Sequence, residues 1–156
     1  MTGHFSLETL GALALDRAAA LHAESFSALG ERSWTRQDLA ELLASPGVAG
    51  MLSRADDGDA GLALWRVAAD EAELLTLAVR PIHRRRGVGR RLLMAAINHA
   101  RTAGAQLLYL EVGADNSAAR NLYDAQGFLA VGRRAGYYNR NAGLPVDAIV
   151  MRLTLN

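Results

Sequence analysis

The feature that most narrows the possible folds of this chain is the octet Arg84-Arg85-Arg86-Gly87-Val88-Gly89-Arg90-Arg91. An apolar run, Leu74-Leu75-Thr76-Leu77-Ala78-Val79, precedes it and reads as a buried strand. After it Val88, Leu92, Leu93, Ala96, Ile97 and Ala100 recur with the helical period. The stretch is therefore a strand, a basic glycine-containing turn and the start of a helix. Such a turn presents backbone N–H groups at the positive end of a helix dipole, where an anion is stabilised. Gly87 and Gly89 carry no Cβ to hold the backbone away from that anion. The arginines add permanent charge and planar donor forks suited to phosphate. The local reading is a phosphate cradle.

The spacing decides which cradle. A nucleoside-triphosphate loop requires a lysine after its last glycine, and the chain has none: all 17 basic residues are arginine. The dinucleotide fingerprint fails because Leu92 stands at its third glycine. A solvated arginine run at a helix start is the bland alternative. A nucleic-acid patch is disfavoured by a net charge of only +1 and by the lack of interleaved aromatic residues. The pattern that fits is R-x-x-G-x-G, as Arg84, Gly87 and Gly89. It resembles the pyrophosphate loop of the GCN5-related N-acetyltransferases, which bind acetyl-coenzyme A.

Length and composition limit the alternatives. A chain of 156 residues supports one domain with a sizeable core, so residues 1–156 are expected to form a single domain. The absence of cysteine excludes disulfides, thiolate metal sites and a cysteine nucleophile. No apolar run reaches the roughly 18 residues of a membrane span. The start, Met1-Thr2-Gly3-His4-Phe5, lacks a basic region followed by an apolar one, so no secretory signal is expected and a cytoplasmic location is the default.

Along the chain, residues 4–7 suggest a short edge strand, and Leu10 to Phe26 an alanine-rich helix whose apolar face includes Leu13, Ala14, Leu21 and His22. His22 is expected to pack or hydrogen-bond there. Thr35 with Asp38 forms a capping-box variant that opens a helix through Leu42-Leu43. Trp34 is then a hydrophobic staple or the wall of a substrate groove. Val48 to Arg54 and Gly61 to Ala68 read as a hairpin around Asp56-Asp57-Gly58-Asp59, a solvated turn lacking the other ligand positions of a calcium loop. A strand over 72–79 ends at Pro81. Gln106 to Val112 is a second buried strand, and Asp115, Asn116 or Ser117 caps a helix that Gly127 stops. Phe128 to Arg133 is a strand; Tyr137-Tyr138 and a loop with Asn139, Asn141, Gly143 and Pro145 follow, before a last strand over Ala148 to Leu155. The expected fold is α+β, a mixed and mostly antiparallel sheet flanked by helices.

A second constellation sharpens the resemblance. Glu111-Val112, Asn116, Ala118-Ala119, Leu122-Tyr123 and Gly127-Phe128 are joined by Gly132-Arg133-Arg134, Tyr137-Tyr138 and Asp147-Ala148. With the phosphate loop this set is similar to the bacterial ribosomal-protein-alanine N-acetyltransferases, the RimI family, from about Asp70 to Met151 and weakly before that. The resemblance implies the GCN5-related acetyltransferase architecture. It places coenzyme A contacts on Leu77, Ala78, Val79, Arg84, Arg85, Arg86, Gly87, Val88, Gly89, Arg90 and Asn116. The family's general base falls on Glu111, its general acid on Tyr123, and substrate contacts on Tyr137 and Tyr138. It further implies a protein N-terminus as partner, the N-terminal alanine of a small-subunit ribosomal protein, with no metal, nucleic acid or membrane. Taken singly, Glu111 would be a solvated or salt-bridged strand end, Tyr123 core, Asn116 a helix cap and the paired tyrosines strand filler. Acetylation of lysine or small amines, and a non-catalytic acetyl-coenzyme A sensor, are the alternative functions.

Overall fold

A computed structural model describes residues 4–26, 33–139 and 143–155. The loop reading at Asn141 lies outside them. In chain order the elements are β1 (Ser6–Thr9), α1 (Leu15–Phe26), α2 (Arg36–Ala44), β2 (Val48–Ala55), β3 (Gly58–Ala68), β4 (Glu71–Val79), α3 (Val88–Thr102), β5 (Leu107–Gly113), α4 (Ser117–Ala125), β6 (Leu129–Tyr138) and β7 (Val146–Thr154). The strands form one mixed sheet in the order β1-β2-β3-β4-β5-β7-β6. Its only parallel pair among the described residues is β4 with β5. The α+β expectation holds.

Each face of the sheet carries its own core. The α3 residues Val88, Leu92, Leu93, Ala96, Ile97 and Ala100 are all buried, as their spacing predicts, and pack with Trp65, Leu108, Leu110 and Met151. On the other face Ala18 and Leu21 of α1 and Leu39 of α2 pack on Leu52, Leu62 and Leu64. Gly61 lets α3 seat closely, since a Cβ there would lie 2.7 Å from Leu92 and 2.8 Å from Val88. The α2 start is a full capping box: the Asp38 N–H donates to Thr35 Oγ1 (3.1 Å), and the Thr35 N–H donates to the Asp38 carboxylate (2.9 Å).

Three local expectations need correction. Helix α1 is preceded by a 3₁₀ turn over Ala12–Ala14, which shifts the helical phase. Leu10 and Ala14 are buried, but Leu13 is fully exposed, not part of the apolar face. Strand β3 begins at Gly58, so the hairpin turn is shorter than the acidic tetrad. Strand β6 runs on to Tyr138, which puts both tyrosines in the strand rather than after it. A register irregularity between Arg134 and Tyr138 absorbs Gly136, whose N–H donates to the Asp147 carboxylate at 2.8 Å.

Two irregularities open the sheet. Trp65 pairs with Leu74 and Leu64 with Thr76, which leaves Leu75 as an extra residue on β4. Before this bulge Ala72 and Leu74 face the α3 core; beyond it Leu77 and Val79 do, while Ala78 packs on the α1 and α2 side. The β4–β5 ladder then stops: its pairs are Glu71–Leu107, Ala72–Leu108 and Glu73–Tyr109. Both strands continue, to Val79 and Gly113, so they part and leave a cleft in mid-sheet. Among the described residues no helix is long and apolar enough to cross a membrane.

Candidate active site

Two adjoining cavities occupy that cleft. The smaller, about 570 Å³, lies at the start of α3 and is lined by Leu77, Ala78, Val79, Arg84, Arg85, Gly87, Val88, Gly89 and Arg90, with Asn116 and Leu122 across from them. Of the residues expected to hold coenzyme A, only Arg86 lies outside this lining. Gly87 is the N-cap of α3, with φ +80°, a left-handed conformation that favours glycine. Glycine has no side chain to cap the helix, so the first N–H groups of α3 remain for a ligand. Arg85 also takes positive φ (+63°), costing on the order of 1 kcal/mol for a residue with a Cβ. Gly89 serves packing as well as access, because a Cβ there would lie 3.3 Å from Leu122 and 3.5 Å from Val79.

The arginines divide their work. Arg84 donates from Nη2 to the Ser25 carbonyl (3.0 Å) and from Nε to the Val79 carbonyl (3.3 Å). It ties the loop to a carbonyl at the C-terminus of α1, an acceptor that the helix itself leaves unpaired. Arg84, expected among the coenzyme contacts, lines the cavity while its Nη2 and Nε donors bond backbone carbonyls. Arg80 adds a link to Glu24 (3.0 Å), and buried His83 lies 3.1 Å from Asp57. Arg85 and Arg90 make no ion pair among the described residues and border the cavity, so their charge faces whatever enters.

The larger cavity, about 1140 Å³, lies between the parted strands. Leu74–Leu77 of β4 and Leu110–Gly113 of β5 form its sides, and Tyr137 and Tyr138 of β6 with Asn139 just after it bound the space. Glu111, Tyr123, Tyr137 and Tyr138, all selected from sequence, line it together. Phe26, Leu77, Asn116, Ala119 and Tyr123 line both cavities, so the two meet where the candidate acid stands. Asn116 is the cap of α4, its Oδ1 accepting from the Ala119 N–H (3.3 Å), and it borders the cleft too.

The titratable groups differ in surroundings. Burial, followed by the neighbouring Tyr138, pushes the Tyr123 hydroxyl well above the usual phenol range. The phenol is therefore protonated throughout the physiological range. The Glu111 carboxylate accepts from Arg134 Nη1 at 2.6 Å. Arg134 belongs to the Gly132-Arg133-Arg134 stretch of the sequence resemblance but had no role in the expected site; it is the partner of a strand-end glutamate 23 residues away, reached from β6.

The far wall was only partly anticipated. His22 is buried, its Nδ1 accepts from the Trp34 N–H (3.2 Å), and its ring stacks on Trp34 with centroids 4.9 Å apart. Burial pushes the His22 imidazole down to about 4, so it is neutral near pH 7. With Phe26 and His22, Trp34 forms an aromatic wall of the larger cavity, and it also packs against the cluster that holds Leu39 of α2. Arg66 and Glu73 border the same space.

Comparison with known proteins agrees with this architecture. Residues 15–128 match the model of the acetyltransferase (GNAT) family. The [ribosomal protein bS18]-alanine N-acetyltransferase of Salmonella typhimurium is 43% identical over 102 residues, 65% of this chain and 68% of that protein. The N-alpha-acetyltransferase RimI of Mycobacterium tuberculosis is 36% identical over 159 residues, 97% of this chain and 96% of that protein. The crystal structure of the ribosomal-protein-S18-alanine N-acetyltransferase from Escherichia coli superposes with a TM-score of 0.88 at 29% identity, covering 98% of this chain and 95% of that one. The strand–loop–helix cradle, the parted strands and these likenesses together place the chain in the GNAT family of acetyltransferases.

Proposed function

We propose that residues 1–156 act as one acetyltransferase domain that moves the acetyl group of acetyl-coenzyme A to the α-amine of a protein N-terminus. The preferred acceptor is the N-terminal alanine of a small-subunit ribosomal protein, as the names of its relatives suggest. One observation carries the reading: Glu111 and Tyr123 border a single acceptor cavity, and that cavity meets the basic helix-start cavity at Tyr123. The coenzyme supplies an activated thioester. Free N–H groups at the start of α3, with Arg85 and Arg90, fit its pyrophosphate, while Leu77–Val79 and Asn116 border its acyl end.

The residues divide the proton transfers. An α-amine with pKa about 7.7–8.0 is mostly protonated at neutral pH and cannot attack a carbonyl. Glu111, directly or through water, takes the proton; the nitrogen lone pair then forms the C–N bond as the C–S bond breaks. Backbone N–H groups along the unpaired edge of β4 near Leu77 receive the charge developing on the carbonyl oxygen. Tyr123 donates to the departing sulfur, and its phenolate takes back the second proton that the acylated nitrogen sheds on becoming the amide. Tyr137 and Tyr138 hold the acceptor backbone, and the wall of Phe26, His22 and Trp34 faces the side chains that follow.

The test is steady-state kinetics of Glu111→Gln, which keeps shape and removes the base. We expect kcat at pH 7 to fall roughly 10²-fold with the KM for acetyl-coenzyme A unchanged. A variant with wild-type kcat would remove Glu111 from the role and move attention to Glu73, the other carboxylate of the cavity.

A further inference from the structure

Glu111 is held, and the group that holds it has no place in the chemistry above. The carboxylate sits on β5, and its partner on β7 is the apolar Val150. The Arg134 guanidinium reaches it from β6 with Nη1 2.6 Å from Oε1. The guanidinium also lies 4.4 Å from the centre of the Tyr137 ring, a cation–π contact that helps fix it. Tyr137 in turn packs edge-on against Tyr138, with centroids 5.1 Å apart. Arg134 is about half-exposed and does not line the cavity, so it touches the carboxylate from the rim.

We propose that Arg134 is a positioning residue: docked on Tyr137, it aims the Glu111 carboxylate into the acceptor cavity and gives way to the incoming α-ammonium. The inference rests on the reading of Glu111 as base. A glutamate side chain has three rotatable torsions, and a base must lie within hydrogen-bond reach of the proton it takes. The Tyr137–Arg134–Glu111 chain restricts those torsions. An ion pair on an exposed rim is weak in water, so an ammonium entering from the cavity side can exchange for the guanidinium. Other charged or titratable groups around the carboxylate are Glu73 on β4, Arg66 on β3, His22 on α1, Tyr123 on α4, and Tyr137 and Tyr138 on β6. None of the contacts described above joins any of them to it.

The test combines a double-mutant cycle with NMR of the carboxylate. Arg134→Gln should lower kcat about tenfold while the KM for acetyl-coenzyme A stays constant, and Arg134→Lys should recover part of the loss. In a Glu111→Gln background the same Arg134→Gln change should cost nothing further, because there is no carboxylate left to aim. With ¹³C-labelled glutamate, the carboxylate resonance that Glu111→Gln removes should change position in Arg134→Gln at constant pH, because its guanidinium partner is gone. Equal losses of kcat in both backgrounds, or an unmoved resonance, would overturn the proposal. Should Glu111→Gln retain full activity, the base reading falls on that result alone, while the carboxylate resonance still decides whether Arg134 holds Glu111.

Discussion

Acidification should loosen the acceptor wall before it protonates the carboxylates, and His22 is the reason. The imidazole is buried against Phe26 and Trp34, and burial pushes it down to about 4 from an ordinary 6.5. The unfolded chain therefore binds a proton at His22 at a pH where the folded chain does not. Stability from the neutral ring is complete above pH 6.5 and is lost as pH falls toward 4. At about 1.4 kcal/mol per pH unit the whole difference is worth roughly 3 kcal/mol, of which about 2 kcal/mol is gone at pH 5. Most carboxylates are still ionised at that point, since their ordinary values lie near 3.9 and 4.3. The assay is urea unfolding at pH 7.5 and pH 5, on wild type and on His22→Asn, which keeps a side-chain acceptor for the Trp34 N–H but cannot titrate. Wild type should lose about 2 kcal/mol more than the variant between the two conditions. Equal pH dependence in the two proteins would refute the reasoning, because it would mean that His22 does not resist protonation when folded.

Two further outcomes follow from the site. Acetyl-coenzyme A should raise the melting temperature, and Gly89→Glu should abolish the shift by setting bulk against Leu122 and negative charge at the start of α3; stabilisation by nucleoside triphosphates instead would reassign the cradle. The defect of Glu111→Gln should shrink above pH 8, where the amine loses its proton unaided, whereas Tyr123→Phe should show no such rescue and a smaller loss, since a thiol of pKa near 8.5 departs readily; matching pH profiles for the two variants would merge roles kept separate here.

What could be read from the sequence was local. The cradle was legible because a buried strand, Gly87, Gly89 and the α3 period all lie within about thirty residues, and each signal is carried by neighbours in the chain. The Thr35–Asp38 box was legible for the same reason, as was Asn116 among three candidate caps. Leu13 was misplaced because a 3₁₀ turn advances the chain by a different angle from an α-turn, and nothing in the composition of Gly11 to Leu15 announces it. The extension of β6 to Tyr138 was hidden by Gly136 and Asn139, which suggest a loop unless the pairing with Val146 is known. The parting of β4 from β5, which creates the acceptor cavity, is a property of ladder register between segments more than thirty residues apart. The grip of Arg134 on Glu111 is equally non-local, so the resemblance could nominate Glu111 without disclosing what holds it.

The most direct test of the account is to incubate the protein with acetyl-coenzyme A and two peptides, one with a free N-terminal alanine and an internal lysine, the other identical but blocked at its N-terminus. Fragmentation mass spectrometry then locates the added acetyl group. The account predicts one acetyl group on the alanine nitrogen of the free peptide and a far slower reaction of the blocked one. Acetyl groups on lysine at equal rates in both peptides would contradict it.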